Sequence, residues 1–472
     1  MLALLCCGCS SVLSSYDVAP NGLIRSEYRF RRYLASGHAD SALLQIRKSP
    51  KKSKLPKDDL LRLLFEGVAA HYAGDFERSA AAFDRASLLA DDRSTKSISR
   101  AALSVMVNDL SLAYEPSRTE RLLLPYYAAL TYAQAGDLAD AAVEARRLSA
   151  LLQSLQDHDH APDKPLGAFL HYFAGSIFEA AGLRVDAAVS YRNAYTLDAS
   201  VLPKVPPPAG DSAGDVVILV EHGFAPHRVQ ESLFVMLGVD ERKRFEHDRN
   251  DDERRTTASQ VAARVLAFAS GDGPRSGEPR ARTLWVPAPT ETKASTESKP
   301  CEPADSTAKK DKQDCDDDDD EPYLLRMSWP VMYAPARPMP APVLRVDSTA
   351  VAAASQLHIA DAVLEDFRAE QPVIVARTVA RAAAKYLLTR SAKKSAGKHE
   401  ALGTVIGAIS NIGGALTEQA DIRSWHLLPG VITVTRVRLS PGTHTLTLDG
   451  NDLGNVHIAA GRVTVLSKRI WQ

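Results

Sequence analysis

The stretch that decides the predicted fold is Leu64-Phe-Glu-Gly67-Val-Ala-Ala-His-Tyr72-Ala-Gly74-Asp-Phe76-Glu-Arg-Ser-Ala80-Ala-Ala-Phe83-Asp-Arg-Ala86. Its small and aromatic residues have the spacing of two helices joined by a tight turn. Gly67 leaves room for the helices to approach, and Gly74 ends the first helix in a left-handed turn. The positions expected to pack the second helix onto the first are Phe76, Ala80, Phe83 and Ala86. The stretch therefore predicts a helical hairpin.

Similar patterns recur between residues 23 and 200, as in a tetratricopeptide (TPR) array, which stacks helical hairpins into a solenoid. A weaker first copy has its turn glycine at Gly37, and the packing positions of the later copies are Gly136, Gly175, Gly182, Tyr191 and Ala194. The turn glycines lie 37, 62 and 46 residues apart, so an insertion or extra helix is expected after the second hairpin. An ordinary helical bundle with Ala-Gly turns is the alternative.

A proline-rich linker over residues 201–214 is predicted to end the repeats, because proline cannot continue a helix. Residues 215–472 then have the mixed pattern of an α/β domain, beginning with a buried strand over 215–220. Helices are predicted over 359–370 and 372–388, the second with Pro372 in its first turn. Residues 431–472 alternate in polarity and contain Pro-Gly and Asp-Gly turns, which predicts a small antiparallel β-sheet. The predicted class is α+β, with a TPR-like solenoid followed by this mixed region.

The insert over residues 287–321 is of low complexity and ends in five consecutive aspartates. Such a run repels itself, so a disordered linker is favoured over a calcium site, which would need a turn glycine and a terminal glutamate. Cys301 and Cys315 lie in this polar segment, and either a disulfide or two thiols is expected there.

The first nine residues, Met-Leu-Ala-Leu-Leu-Cys-Cys-Gly-Cys9, are typical of the end of a bacterial lipoprotein signal. We expect Cys9 to be acylated, residues 1–9 to be a signal remnant and residues 10–22 to be a tether. The positive start of a secretory leader is missing, so translation is expected to begin upstream. A frayed apolar terminus of a cytosolic protein is the alternative.

The composition is that of a folded protein, with 45% hydrophobic residues, 24% charged residues and a formal net charge of -1. This balance predicts no nucleic-acid-binding surface, and the apolar runs are too short to predict a membrane-spanning helix. The length of 472 residues predicts two or more domains.

Three parts of the chain carry a family resemblance. The first is Tyr16-Asp-Val-Ala-Pro-Asn-Gly22 with Arg31-Arg-Tyr-Leu34, the second is Val217-Ile-Leu-Val-Glu-His-Gly-Phe-Ala-Pro226, and the third is Glu418-Gln-Ala-Asp-Ile-Arg-Ser-Trp-His-Leu-Leu-Pro429. The chain resembles an uncharacterised family of TPR-containing outer-membrane lipoproteins of Gram-negative bacteria. The resemblance implies the architecture above and a lipid-anchored position on the periplasmic face of the outer membrane. It implies no settled activity.

The sharpest local pattern outside the repeats is Asp421, Arg423 and Trp425. A buried Arg–Asp pair capped by the tryptophan, holding the helical part against the terminal sheet, is the favoured interpretation. A glycan- or peptide-binding site would use the same residue types, because tryptophan stacks and arginine forms paired hydrogen bonds.

No motif predicts an enzyme, a cofactor or a metal. There is no nucleophile elbow or phosphate-binding loop, and His222 in a Glu-His-Gly turn is a weak match to an esterase loop. The Asp-His-Asp-His run at residues 157–160 is expected to be an exposed loop, because adjacent ligands point in different directions.

These observations predict an envelope scaffold or assembly factor that binds a protein or peptide partner in the concave groove of the repeats. No small-molecule substrate is indicated. One alternative is a periplasmic, hydrolase-like enzyme centred on His222. Another is an activator of cell-wall synthases.

Overall fold

The computed structural model describes residues 19, 23–48, 59–95, 112–157, 162–208, 210, 212–237, 263, 283–286, 323–334, 343–351, 355–396 and 419–471. The predictions for Cys9, for nearly all of the tether and for the acidic insert with its two cysteines lie outside the described residues. So does the His158–His160 part of the Asp-His run.

Within the described residues, four helical hairpins form the first part of the fold. Their helices are α1 (Arg25–Ala35), α2 (Ala39–Lys48), α3 (Asp59–Tyr72), α4 (Phe76–Thr95), α5 (Arg118–Ala135), α6 (Leu138–Asp157), α7 (Lys164–Ala180) and α8 (Arg184–Asp198). The turns contain Gly37, Gly74, Gly136 and Gly182, with φ of 74°, 77°, 88° and 78°. Residues with a side chain rarely adopt this left-handed backbone conformation, so each turn depends on its glycine. The predicted class, helical repeats followed by strands, is confirmed.

Two other glycines bring the helices of a hairpin into close contact. A Cβ atom at Gly67 would lie 2.5 Å from Phe83, and one at Gly175 would lie 2.8 Å from Tyr191. Phe83, Ala86 and Ala194 are fully buried. Ala80 is only half-buried, whereas its neighbour Ser79 is fully buried and donates to the Gly67 carbonyl at 2.9 Å. The small packing position of this hairpin is therefore Ser79, one residue before the predicted one.

Eleven strands in the described residues form three sheets. They are β1 (Gly214–His222), β2 (His227–Leu237), β3 (Thr283–Val286), β4 (Tyr323–Tyr333), β5 (Leu344–Val346), β6 (Thr349–Val351), β7 (Ser355–His358), β8 (Val431–Leu439), β9 (Gly442–Leu448), β10 (Asn451–Ile458) and β11 (Val463–Ile470). Their orders are β11-β1-β8-β7, β10-β9-β5-β6 and β3-β2-β4. The first sheet lies between the helices and the second sheet, because alternate residues of β1 join the two buried clusters on its two sides.

The strands after residue 431 are shared between two sheets. The Asp449-Gly450 turn joins β9 to β10 as an antiparallel hairpin, as predicted. The Pro-Gly turn at Pro441 instead carries the chain from the first sheet into the second, and β8 pairs with β1 and β7. β11 pairs with β1 in parallel. Turn motifs do not indicate this pairing, because parallel strands are not joined by a hairpin turn.

One long helix, α9 (Ile359–Ala396), follows β7 and contains Pro372 in its interior. The sequence predicted two helices here, with this proline starting the second. The structure corrects that prediction, since the helix continues through the proline. Within the described residues, no helix is both long and apolar enough to cross a bilayer.

We expect Gly67→Ala to destabilise the protein by about 1–3 kcal/mol, because its methyl group would overlap the Phe83 ring. The free energy of unfolding from urea titration measures this effect. Phe83→Leu removes the ring, so the double variant should lose less than the sum of the two single variants. Additive losses would show that the close approach at Gly67 is not what constrains the hairpin.

Candidate functional site

A buried carboxylate on β1 receives hydrogen bonds from the helices. Glu221 is fully buried, and the hydroxyls of Tyr72, Tyr126 and Tyr127 donate to it at 2.7, 2.9 and 2.7 Å. The guanidinium of Arg469 on β11 lies 2.7 Å from the same carboxylate. We call these five residues the Glu221 junction, which joins α3 and α5 to the first sheet.

The electrostatics of the Glu221 junction keep its donors protonated. Burial, followed by the charge of Glu221, raises the pKa of Tyr72, Tyr126 and Tyr127 well above the ordinary value. Burial alone would lower the pKa of Arg469, but the tyrosines and Glu221 raise it. Arg469 also donates to two backbone carbonyls, of Gly223 and Leu427. Paired in this way, the buried charges stabilise a fixed arrangement rather than a reactive one.

A neutral polar chain continues from the Glu221 junction. The imidazole of His71 hydrogen-bonds to Thr131 at 2.9 Å and to Ser467 on β11 at 3.2 Å. Gln134 donates to Ser467 at 2.7 Å. Burial lowers the pKa of His71 to about 4, so this residue is neutral at physiological pH.

These contacts show what covers the inner side of the repeats. The first helices of the second, third and fourth hairpins, α3, α5 and α7, are buried along most of their length, and α5 and α7 pack on β11. The surface expected to form a partner-binding groove is therefore filled by the chain's own sheet. This finding corrects the expectation that a partner binds there.

The Asp421, Arg423 and Trp425 cluster lies in the same interface. Arg423 donates to both carboxylate oxygens of Asp421, at 2.8 and 2.7 Å, and to the Leu112 carbonyl at 3.1 Å. Trp425 is buried beside Phe83 and Tyr127, and its backbone N–H donates to Glu120 at 2.6 Å. The guanidinium of Arg423 lies over Tyr114. The arrangement anchors the segment before β8 to the repeats.

A small cavity adjoins this segment. It measures about 20 Å³ and is bordered by Glu120, Arg228, Asp366 and Ser424. Asp366 of α9 already accepts from Arg118 and from the backbone of Thr119, at 2.8 and 2.6 Å. A space of this size holds about one water molecule, so it is not a substrate pocket.

His222, the centre of the enzymatic alternative, is the last residue of β1. Its carbonyl accepts from Gly430 at 2.9 Å, and within the described residues its Nε2 atom makes no hydrogen bond. Burial lowers the pKa of this imidazole. No group of three or more potential metal ligands occurs in the part of the chain that the structure describes.

The second helices of the hairpins, by contrast, expose apolar side chains. Leu88 on α4, Val143 on α6, and Val185 and Val189 on α8 are exposed by 71%, 53%, 78% and 44%. Ion pairs between neighbouring helices, Arg147–Asp91 and Arg146–Asp186, lie within one helical turn of these residues. The four residues therefore lie on the second helices of three successive hairpins, beside ion pairs that link those helices, and we call this set the outer strip.

These features define a helical-repeat protein whose inner face is covered by its own β-sheet. No family model matches the sequence, and no curated protein matches it. A solved structure titled "MamA RS-1 ArsTM double mutant" is similar over 37% of this chain and 95% of that chain, with 17% identity and a TM-score of 0.17. The family resemblance drawn from the sequence stays a prediction.

We expect Tyr126→Phe to destabilise the protein by about 1.5–3 kcal/mol, because the Glu221 Oε1 atom loses the hydroxyl that donates to it. Denaturant unfolding measures the loss. Tyr132→Phe is the matched control, since Tyr132 donates to the exposed Asp84 and its loss should change stability by under about 0.5 kcal/mol. Equal effects of the two variants would contradict the importance of the Glu221 junction.

The lowered pKa of His71 predicts acid sensitivity. Its folded pKa of about 4 lies below the unfolded value of 6.5, so the stability it contributes is complete above pH 6.5 and falls as the pH drops toward 4. Relative to His71→Gln, the wild type should lose about 2 kcal/mol between pH 7.5 and pH 5. Unfolding titrations of both proteins at the two pH values test this, and a constant difference would refute it.

Proposed function

We propose that this protein is a non-catalytic scaffold that binds another protein through the outer strip. The observation that carries the proposal is the contrast between the two faces of the repeats. The inner face is covered by β1 and β11, whereas Leu88, Val143, Val185 and Val189 lie exposed on the second helices.

The surroundings of the outer strip favour a protein partner. Exposed apolar patches bordered by charged residues are typical of protein-binding surfaces. Here the border consists of mixed charges, including Asp91, Arg146, Arg147 and Asp186, so neither a strongly acidic nor a strongly basic ligand is selected. An apolar segment of a partner, such as one face of an amphipathic helix, fits this chemistry.

We further propose that the scaffold works in the cell envelope, held at the periplasmic face of the outer membrane by acylation of Cys9. The support is the apolar run before Cys9 and the family resemblance described above. That location would make the partner a protein of the cell envelope, and activation of a cell-wall synthase stays a narrower alternative.

The absence of catalysis is part of the proposal. The buried carboxylates Glu221, Glu120 and Asp366 are each held by hydrogen bonds from the protein itself. Groups used in this way contribute to the fold and have little capacity left for a substrate. The Nε2 atom of His222 makes no hydrogen bond within the described residues, but the side chain is buried at the end of β1 and so has little access to a substrate.

The test is site-specific photo-crosslinking in intact cells of the source bacterium, with a photoreactive amino acid at position 88, 143 or 185 in turn. We expect all three positions to capture the same envelope protein, because they belong to the outer strip. Position 204, an exposed lysine outside the outer strip, is the control and should not capture it. Mass spectrometry identifies the product.

Leu88→Glu/Val185→Glu should abolish the crosslink from position 143 while changing the free energy of unfolding by less than about 1 kcal/mol. Different products from the three positions, or capture that survives these substitutions, would exclude the outer strip as the binding surface. In parallel, palmitate labelling that disappears with Cys9→Ala supports the anchor. A wild-type protein that takes up no palmitate and is recovered in the cytosol would overturn the proposed location.

A further inference from the structure

The first hairpin has a charge unlike that of the whole chain. Between residues 23 and 48 there are six arginines and lysines and two acidic residues, while the whole chain has a formal net charge of -1. One of the acidic residues, Glu27, lies 3.3 Å from the buried His426. The positive charge of this hairpin is therefore concentrated on its exposed side.

The helical period sorts the residues of α1 onto two faces. Phe30 and Leu34 are buried, and Glu27 and Arg31 lie on the same inner side. Arg31 stacks on Phe224 at 3.8 Å. The residues on the opposite face follow the i, i+3, i+4, i+7, i+8 pattern and are Arg25, Tyr28, Arg29, Arg32 and Tyr33.

This outer face of α1 consists of cationic and aromatic residues. Arg25, Arg29, Arg32 and Tyr33 are exposed, and Tyr28 is half-buried. Arg47 and Lys48 are also exposed, at the end of α2. Because a three-residue turn makes α1 and α2 antiparallel, these two residues lie beside the start of α1, near Arg25. We call Arg25, Arg29, Arg32, Arg47 and Lys48 the basic surface.

We propose that the basic surface binds the anionic headgroups of a phospholipid bilayer. Each arginine or lysine near an anionic membrane contributes about 1 kcal/mol of attraction. Tyrosine prefers the boundary between headgroups and acyl chains, where its ring is apolar and its hydroxyl is hydrated. The combination on α1 therefore fits a membrane better than it fits the mixed-charge surface of a protein partner.

The position of the basic surface agrees with this assignment. The inference rests on the proposed location, since α1 is the first described helix after Cys9, the expected site of acylation. A single acyl chain gives only marginal membrane binding, and a basic surface beside it supplies a second attachment. Together they would hold α1 against the bilayer, with the outer strip on later hairpins available to a partner.

The test uses the full chain carrying Cys9→Ala, so that no acyl chain contributes. Sedimentation with phosphatidylcholine vesicles containing about one-third phosphatidylglycerol measures the partition coefficient. We expect binding to these vesicles and none to pure phosphatidylcholine. Raising the salt concentration should weaken the binding, because it screens exposed charges.

Arg25→Gln/Arg29→Gln/Arg32→Gln should lower the partition coefficient on the order of 100-fold. The matched control is Arg184→Gln/Arg192→Gln/Lys204→Gln, which removes the same charge from exposed positions elsewhere. Unchanged far-ultraviolet circular dichroism and thermal midpoint show that both variants are folded.

Equal losses in the two triple variants, or no binding to the anionic vesicles, would overturn the proposal. So would equally tight binding of a single-stranded DNA oligonucleotide, which would indicate an unselective attraction to polyanions. Crosslinking tests the outer strip, and vesicle sedimentation tests the basic surface. Because crosslinking does not require the arginines to bind lipid, either proposal can fail without the other.

Discussion

The buried carboxylate of Glu221 is the constraint on which the rest of the structure depends. A charged group removed from water is stable only with partners, and here three tyrosine hydroxyls and the Arg469 guanidinium supply them. Val217 and Leu219 face the helices with Glu221, whereas Val216, Ile218 and Val220 face the second sheet. A one-residue slip of β1 would move the carboxylate into the apolar layer between the sheets. One side chain therefore fixes both the register of β1 and the side of the sheet that meets the repeats.

Sequence reasoning predicted the features that depend on neighbouring residues. Gly37, Gly74, Gly136 and Gly182 end helices because of their own backbone freedom, so their pattern is visible locally. The partners of Glu221 were missed because they lie 94 to 248 residues away in the chain. The available signal was a glutamate directly after the apolar run 215–220, in the turn predicted to follow a buried strand. Sequence reasoning favoured an anchoring ion pair of Asp421 and Arg423, and the two residues do pair locally. The contact of Trp425 with Glu120 needed the tertiary structure.

The cover over the inner face changes how the repeats are to be understood. In an uncovered solenoid the concave side is an interaction surface, whereas here α5 and α7 use theirs to bind β11. His71, Ser467 and Gln134 continue this contact with hydrogen bonds, so it is polar as well as apolar. The sheet occupies the inner face of the repeats, where a ligand would otherwise bind. Among the described residues, the second helices and one face of α1 keep exposed side chains that this sheet does not cover.

The parallel pairing of β11 with β1 has a consequence for biosynthesis. Arg469 is translated 248 residues after Glu221, a delay of roughly 12–50 s at ordinary elongation rates. During that interval the hairpins and β1 exist without the cation that completes the junction. The Glu221 junction therefore cannot be complete until β11 has been made. A strand made late thus supplies the last partner of a residue in an early strand, which makes completion of the first sheet a late step in synthesis.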